Sequence, residues 1–108
     1  MNNSVIELNE ANFEREVLNA TQPVLVAFWA GWSAPCMEMA AVLESVAEDE
    51  AVPVRLARVN VEHYEDLTEK YGVRVVPTLL IFKQGALHDQ IEGRTTKQAL
   101  CEKLERLR

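Results

Sequence analysis

Apolar residues form short runs that predict five strands. Val24 to Phe28 is a run of five apolar residues between Pro23 and Gly31, which is typical of a strand buried on both faces. Val54 to Val61 and Thr78 to Lys83 also predict strands, and Val5 to Leu8 predicts a short first one. Gln84-Gly85 predicts a turn, after which Leu87 to Glu92 returns as an antiparallel partner.

Helical spacing of apolar residues predicts four helices between and after these strands. The first covers Glu10 to Leu18, with Asn9 as its N-cap, and Phe13 and Val17 on its apolar face. The other three are Met37 to Ala47 (apolar at Met39, Val42, Leu43 and Val46), Glu65 to Tyr71 (ended by Gly72), and a last helix capped by Thr95 or Thr96 (apolar at Leu100, Leu104 and Leu107). The order βαβαβαββα predicts an α/β fold with a mixed sheet covered by helices on both faces.

The bulk properties predict one soluble domain over residues 1–108. Hydrophobic residues make up 48% and charged residues 26% of the 108, as in ordinary globular proteins. The net charge of −6 argues against nucleic acid as a partner, and no apolar stretch approaches the length of a membrane span. The first four residues lack the features of a signal peptide, and two distant cysteines do not indicate a disulfide scaffold, so we expect a cytoplasmic location.

The junction from Val24 to Cys36, VLVAFWAGWSAPC, is where we expect the chemistry. A buried strand runs through a short turn into the N-terminus of a helix, and the Cys36 thiol falls in the first helical turn. Ser33 is a favourable N-cap residue, and Pro35 suits the first turn. The acidic residues of the following helix predict a solvated face, and we expect neither a metal site nor a cofactor.

Two segments resemble the thioredoxin family. FWAGWSAPC, from Phe28 to Cys36, is similar to the active-site segment FWAxWCGPC, and YGVRVVPTLLIFK, from Tyr71 to Lys83, is similar to YGIRGIPTLLLFK. Gly85 and Gly93 fall where the family has its hairpin and late-strand glycines. The resemblance covers nearly the whole chain and implies the thioredoxin fold, a central mixed β-sheet flanked by helices on both faces.

The resemblance implies protein-disulfide oxidoreductase chemistry, but the motif departs from it at the attacking position. A dithiol enzyme attacks a disulfide with one thiolate and resolves the mixed disulfide with a second thiol. Ser33 occupies the attacking position and Cys36 the resolving one, and a hydroxyl without an activating base is a poor nucleophile. Ala27 stands where the family usually has a buried aspartate that assists proton transfer. We therefore expect dithiol turnover to be lost or impaired.

The peptide-binding surface is better preserved in the resemblance. Pro77 corresponds to a cis-proline that faces the active site, and the backbone of Val76 would pair with an extended peptide. The resemblance implies a small apolar platform around Cys36, formed by Trp32, Ala34, Pro35, Val75, Val76 and Gly93. The expected partner is a protein or peptide with an exposed extended segment or a disulfide.

Several hypotheses remain open at this point. In the first, the chain is a natural S-x-x-C member of the family that acts as a monothiol or as a peptide-binding or holdase-like module. In the second, it is a reductase with the motif Trp-Cys-Ala-Pro-Cys whose position 33 has been changed to serine. A thioredoxin reductase would supply electrons only in the second case. Peroxiredoxin chemistry is disfavoured because Trp29 replaces the proline expected before that family's Thr/Ser-x-x-Cys motif. Cys101 is interpreted as a packing residue of the last helix.

Overall fold

Five strands form one mixed sheet in the computed structural model, which describes residues 5–107. The strands are β1 (Ile6–Glu7), β2 (Val24–Trp29), β3 (Arg55–Asn60), β4 (Thr78–Lys83) and β5 (Ala86–Glu92). Their order across the sheet is β1-β3-β2-β4-β5, with β1, β3 and β2 parallel and β4 and β5 antiparallel to their neighbours. The strand predicted from Val24 to Phe28 is confirmed as β2, which lies at the centre of the sheet.

Among the described residues, three α-helices and one π-helical segment cover the sheet. The α-helices are α1 (Ala34–Glu48), α2 (Glu65–Lys70) and α3 (Lys97–Glu105), and Thr96 caps α3 through a bond from the Ala99 N–H to its hydroxyl. Each matches a predicted helix, although α1 begins three residues earlier than expected because Ser33 caps it.

The first predicted helix, Glu10 to Leu18, is shorter than predicted and is a π-helix. Residues 10–12 form a turn, and Glu14–Leu18 is π-helical, with the Asn19 N–H bonded to the Glu14 carbonyl five residues back. The π-helical segment has Phe13, not the predicted Asn9, as its N-cap. The Asn9 side-chain oxygen instead accepts from the Asn12 N–H while the Asn12 side chain accepts from the Asn9 N–H, each at 2.8 Å, at the preceding turn. The apolar spacing correctly buries Phe13 and Val17, but it does not distinguish the two helix types.

Two apolar cores lie on opposite faces of the sheet. Alternate residues of β2 divide between them, so that Val24, Val26 and Phe28 pack with the π-helical segment and α2, while Leu25 and Ala27 pack with α1 and α3. The predicted stripe of α1 is confirmed, since Met39, Leu43 and Val46 are buried and Val42 is partly buried. Helices on both faces are thus confirmed.

Residues with positive φ form the turn between β4 and β5 and end α2. Gln84 and Gly85 both have positive φ, of 53° and 83°, as a two-residue hairpin between β4 and β5 requires. Gly72, with φ of 67°, ends α2 as predicted. Within residues 5–107, none of the helices has the length and apolar character needed to cross a membrane.

Candidate functional site

Strand register brings the two sequence motifs together. Phe28 near the end of β2 pairs with Thr78 at the start of β4, because these two strands are antiparallel. The turn that follows β2 and the segment that precedes β4 therefore meet at the same end of the sheet. Trp32 and Ser33 come from the first segment, and Val75 and Val76 come from the second.

Ser33 is the N-cap of α1. Its φ and ψ of −97° and 115° are extended, and its hydroxyl oxygen accepts the Cys36 N–H at 3.3 Å. The Cys36 N–H also lies 3.1 Å from the Ser33 carbonyl oxygen, and the Met37 N–H donates to that same carbonyl at 3.2 Å. Ser33 is only 4% exposed, and the N-cap role predicted for it is confirmed.

An open groove with a volume of about 640 Å³ runs beside Ser33. We call it the Ser33 groove; it is lined by Trp32, Ser33, Ala34, Pro35, Val61, Thr68, Val73, Arg74, Val75 and Val76. Trp32 is 71% exposed, as the resemblance implied, and Val75 is also exposed. Among residues 5–107 these two are prominent exposed hydrophobic side chains, and such surfaces are typical of binding sites.

The backbone next to the groove is held in place and offers unpaired groups. The Val76-Pro77 peptide bond is cis, as the resemblance implied, and Pro77 is buried. The Thr78 hydroxyl donates to the Val75 carbonyl at 2.6 Å, and the Gly93 N–H donates to the Pro77 carbonyl at 2.8 Å. None of the hydrogen bonds within residues 5–107 uses the N–H or C=O of Val76, which leaves both available to an added strand.

Cys36 lines a different concave site. It is only 7% exposed, and it borders a cavity of about 330 Å³ between β2, β3 and α1. We call this the Cys36 cavity; its lining consists of Val5, Ala27, Trp29, Cys36, Met37, Ala40, Leu43, Glu44, Leu56 and Arg58. Ala27, which the resemblance places where the family usually has a buried aspartate, is part of the wall, and its small side chain leaves apolar space beside the cysteine.

The structure thus separates residues that the sequence placed on one platform. Trp32, Ala34, Pro35, Val75 and Val76 share the Ser33 groove, whereas Cys36 is not among the residues that line it. Gly93 and Pro77 support this groove through their backbone hydrogen bond and do not line it. Sequence reasoning missed the groove residues Val61, Thr68, Val73 and Arg74. Val61 and Thr68 were assigned only to a strand and a helix, and Val73 and Arg74 belong to the second motif without a predicted role.

Arg58 and Arg94, near the site, each pair with a carboxylate. The Arg58 guanidinium bonds to the Glu7 carboxylate and lies 4.8 Å from the centroid of the Trp29 ring. Near the start of α1, Arg94 donates to Glu38 at 2.6 Å, and this hydrogen bond raises the pKa of the Arg94 guanidinium. The indole Nε1 of Trp29 is buried and has no hydrogen-bond partner within the described chain.

Neither a disulfide nor a metal-binding cluster occurs among residues 5–107. Cys36 and Cys101 are both free, and Cys101 is partly buried against the core on the α1 and α3 face. No group of three His, Cys, Asp or Glu side chains is arranged to hold a metal ion. The chemistry available at the start of α1 is therefore that of the Cys36 thiol and the capping Ser33 hydroxyl, beside an open groove.

Comparisons with known proteins agree with this geometry. The thioredoxin family model matches residues 4–106. The chain is 40% identical over 101 residues to thioredoxin C-2 of Corynebacterium nephridii and 38% identical over 101 residues to thioredoxin of Pseudomonas aeruginosa, with 94% of both chains covered in each comparison. It is also 35% identical over 103 residues to thioredoxin of Pyropia yezoensis, covering 95% of this chain and 96% of that one. The chain belongs to the thioredoxin family of thiol–disulfide oxidoreductases.

Proposed function

We propose that this chain binds extended protein segments in the Ser33 groove and does not turn over disulfides as a dithiol reductase. The observation that carries the proposal is the serine at position 33, which caps α1 where the family has its attacking cysteine. A reductase needs a thiolate at that position, and a hydroxyl near neutral pH is a far weaker nucleophile. Within residues 5–107, neither His63 nor His88 lines the groove, so neither supplies a base to Ser33.

The consequence for thiol chemistry follows from the number of thiols. If the Cys36 thiolate attacks a disulfide, it forms one new S–S bond and releases one thiolate of the substrate. In a dithiol member the second thiol then displaces the remaining substrate thiolate. Here that step needs an external thiol, because Ser33 cannot form the internal disulfide. The mixed disulfide on Cys36 would then persist instead of cycling.

Reduction of insulin disulfides by dithiothreitol tests this proposal. This chain is expected to accelerate the reaction by less than twofold over dithiothreitol alone, and Ser33→Cys is expected to accelerate it at least tenfold. Cys101→Ser serves as the matched control, because Cys101 lies in α3 and lines neither the groove nor the cavity. Its removal should change neither the rate of the unaltered chain nor that of Ser33→Cys. A rate for the unaltered chain comparable to that of a dithiol thioredoxin would refute the proposal.

The rate of the Ser33→Cys protein shows how far the rest of the site has departed from dithiol chemistry. A fast Ser33→Cys protein means that the scaffold is poised for dithiol chemistry and lacks only the attacking thiol. Its reduction by a thioredoxin reductase would then identify the electron source. A slow Ser33→Cys protein means that Ala27 and the rest of the site have also moved away from turnover.

One observation favours a second candidate function, a redox-independent peptide-binding or holdase-like module. The groove residues include exposed Trp32 and Val75 but not Cys36, so binding there does not require the thiol. Polarisation of a fluorescent extended peptide is expected to report the same affinity for the unaltered chain and for Cys36→Ala. Trp32→Ala should weaken binding at least tenfold, because it removes the largest exposed apolar surface of the groove. Equal loss in Cys36→Ala would exclude a thiol-independent module.

A further inference from the structure

The Cys36 cavity is larger than packing defects usually are. Protein interiors hold few voids larger than a water molecule, yet this cavity measures about 330 Å³. An engineered cavity of about 150 Å³ in another protein is large enough to bind benzene. Two alanines create the space here, Ala27 on β2 and Ala40 on α1, because neither side chain reaches across between the strand and the helix.

The cavity is open to solvent on one side. Ala27, Leu43 and Leu56 in its wall are buried, whereas Met37 and Ala40 are exposed, and Met37 is 65% exposed. A small molecule can therefore enter along α1 without unfolding the chain. The flexible thioether of Met37 beside this entrance can adapt to different shapes.

The charges in the lining favour a neutral occupant. Arg58 already bonds to the Glu7 carboxylate and lies over the Trp29 ring, so its charge is largely satisfied. Glu44 is exposed and remains hydrated at the edge. An anionic ligand would lose its hydration without gaining an unpaired cation, and that loss is costly in an apolar site. A cationic ligand would meet only the Glu44 carboxylate, which is exposed to solvent.

We propose that the Cys36 cavity is a binding site for a small, neutral, largely apolar molecule about the size of one substituted aromatic ring. The volume is too small for a folded segment of another protein and suits a ligand of that class. This site is separate from the Ser33 groove, and its occupancy does not depend on whether the groove binds peptides. A ligand bound there lies against Cys36 and would restrict access to its thiol.

Titration with toluene and with benzoate, followed by ¹H–¹⁵N NMR, tests the site. Both probes carry one aromatic ring, and only benzoate is charged at pH 7. Toluene is expected to cause saturable shifts at the amides of Ala27, Cys36 and Leu43, with benzoate binding at least tenfold more weakly. Shifts confined to Trp32 and Val75, no saturable shifts, or equal binding of the two probes would overturn the proposal.

Neighbouring alanines on α1 supply a matched pair of variants. Ala40 lines the cavity and Ala41 does not, and both side chains are exposed on the same helix. Ala40→Leu should weaken toluene binding at least tenfold, and Ala41→Leu should leave it unchanged. Ala27→Leu fills the cavity from the opposite wall and should weaken binding as Ala40→Leu does. Binding that survives in both filled variants would refute the site.

Saturating toluene should also protect Cys36 chemically. In a Cys101→Ser background, Cys36 is the cysteine that remains of the two in the sequence, so N-ethylmaleimide reports on it alone. The Cys36 thiolate adds across the double bond of the maleimide. Toluene is expected to slow this alkylation at least fivefold in the parent and to have no effect in Ala40→Leu. An equal rate with and without toluene in the parent would mean that the ligand does not lie against the thiol.

Discussion

Ser33→Ala measures what the capping hydroxyl contributes to α1. The substitution removes the Oγ that accepts the Cys36 N–H at 3.3 Å and leaves the Cβ in place, so no large cavity forms. Loss of a serine N-cap typically costs about 0.5–2 kcal/mol. The Cys36 N–H keeps the Ser33 carbonyl at 3.1 Å as a second acceptor, so it is not left unsatisfied. The expected loss is therefore in the lower half of that range, about 0.5–1 kcal/mol.

Urea denaturation followed by circular dichroism is the appropriate assay. The midpoint should fall with an unchanged slope, because the substitution changes stability without changing the surface exposed on unfolding. The melting temperature should fall by roughly 2–4 °C for a domain of this size. Thr96→Ala is the matched control, since the Thr96 hydroxyl accepts the Ala99 N–H at 3.1 Å and caps α3 in the same way, and Thr96 does not line the groove.

Ser33→Cys extends this prediction to the reductase question. A thiol is a weaker acceptor than a hydroxyl, so Ser33→Cys should lose most of the capping contribution while it restores an attacking thiol. If Ser33→Ala were as stable as the parent while Thr96→Ala was destabilised, the hydroxyl of Ser33 would contribute nothing to α1. Capping would then not account for a serine at this position.

Four further substitutions have expected outcomes measurable by urea denaturation. Ala27→Asp should lower the free energy of unfolding by about 1–3 kcal/mol at pH 8 and by less at pH 5. Burial raises the pKa of the new carboxyl group, and its protonated form is easier to bury. An equal loss at both pH values would contradict this. Gly85→Ala should cost about 1–3 kcal/mol of stability, since φ is 83° and the new Cβ would lie 2.9 Å from the Leu18 carbonyl oxygen. Gly72→Ala should cost less, because Gly72 also has positive φ but has open space around the position of a Cβ. The hydrogen bond from Lys103 holds the pKa of Asp89 below 3.8, so its stabilisation is complete above about pH 4 and is lost as pH falls through the lowered pKa. Asp89→Asn should therefore cost up to about 1 kcal/mol at pH 7 and much less at pH 2.

The spacing of apolar residues along the sequence was sufficient to predict the strands and most of the helices. The limits of Thr78–Lys83 agree with the prediction because a strongly apolar run ends at the Gln84-Gly85 turn. The residues around Ser33 were also predictable, since a capping residue and a proline leave little choice at a helix start. The π-helical winding of Glu14–Leu18 was not predictable, because α- and π-helices bury the same spaced residues.

The division of the site into a groove and a cavity depends on distant parts of the chain. The groove needs Val61 and Val73 beside Trp32, which only the packing of α2 against the sheet provides. The cavity arises because the small side chains of Ala27 and Ala40 leave a volume unfilled between β2 and α1. A comparison of motifs identifies the alanine at position 27, but it does not show the empty volume beside it. Periodicity assigns Cys36 to the first helical turn without stating which concave surface it borders.

The two tryptophans divide between the two concave sites. Trp32 lines the Ser33 groove and is largely in contact with water, whereas Trp29 lines the Cys36 cavity beneath the Arg58 guanidinium. Indole emission shifts to shorter wavelength as the ring loses contact with water, so the molecule carries one intrinsic fluorophore for each site. Trp29→Phe and Trp32→Phe each leave a single emitter. Together they would report separately, without any attached dye, on events in the cavity and in the groove.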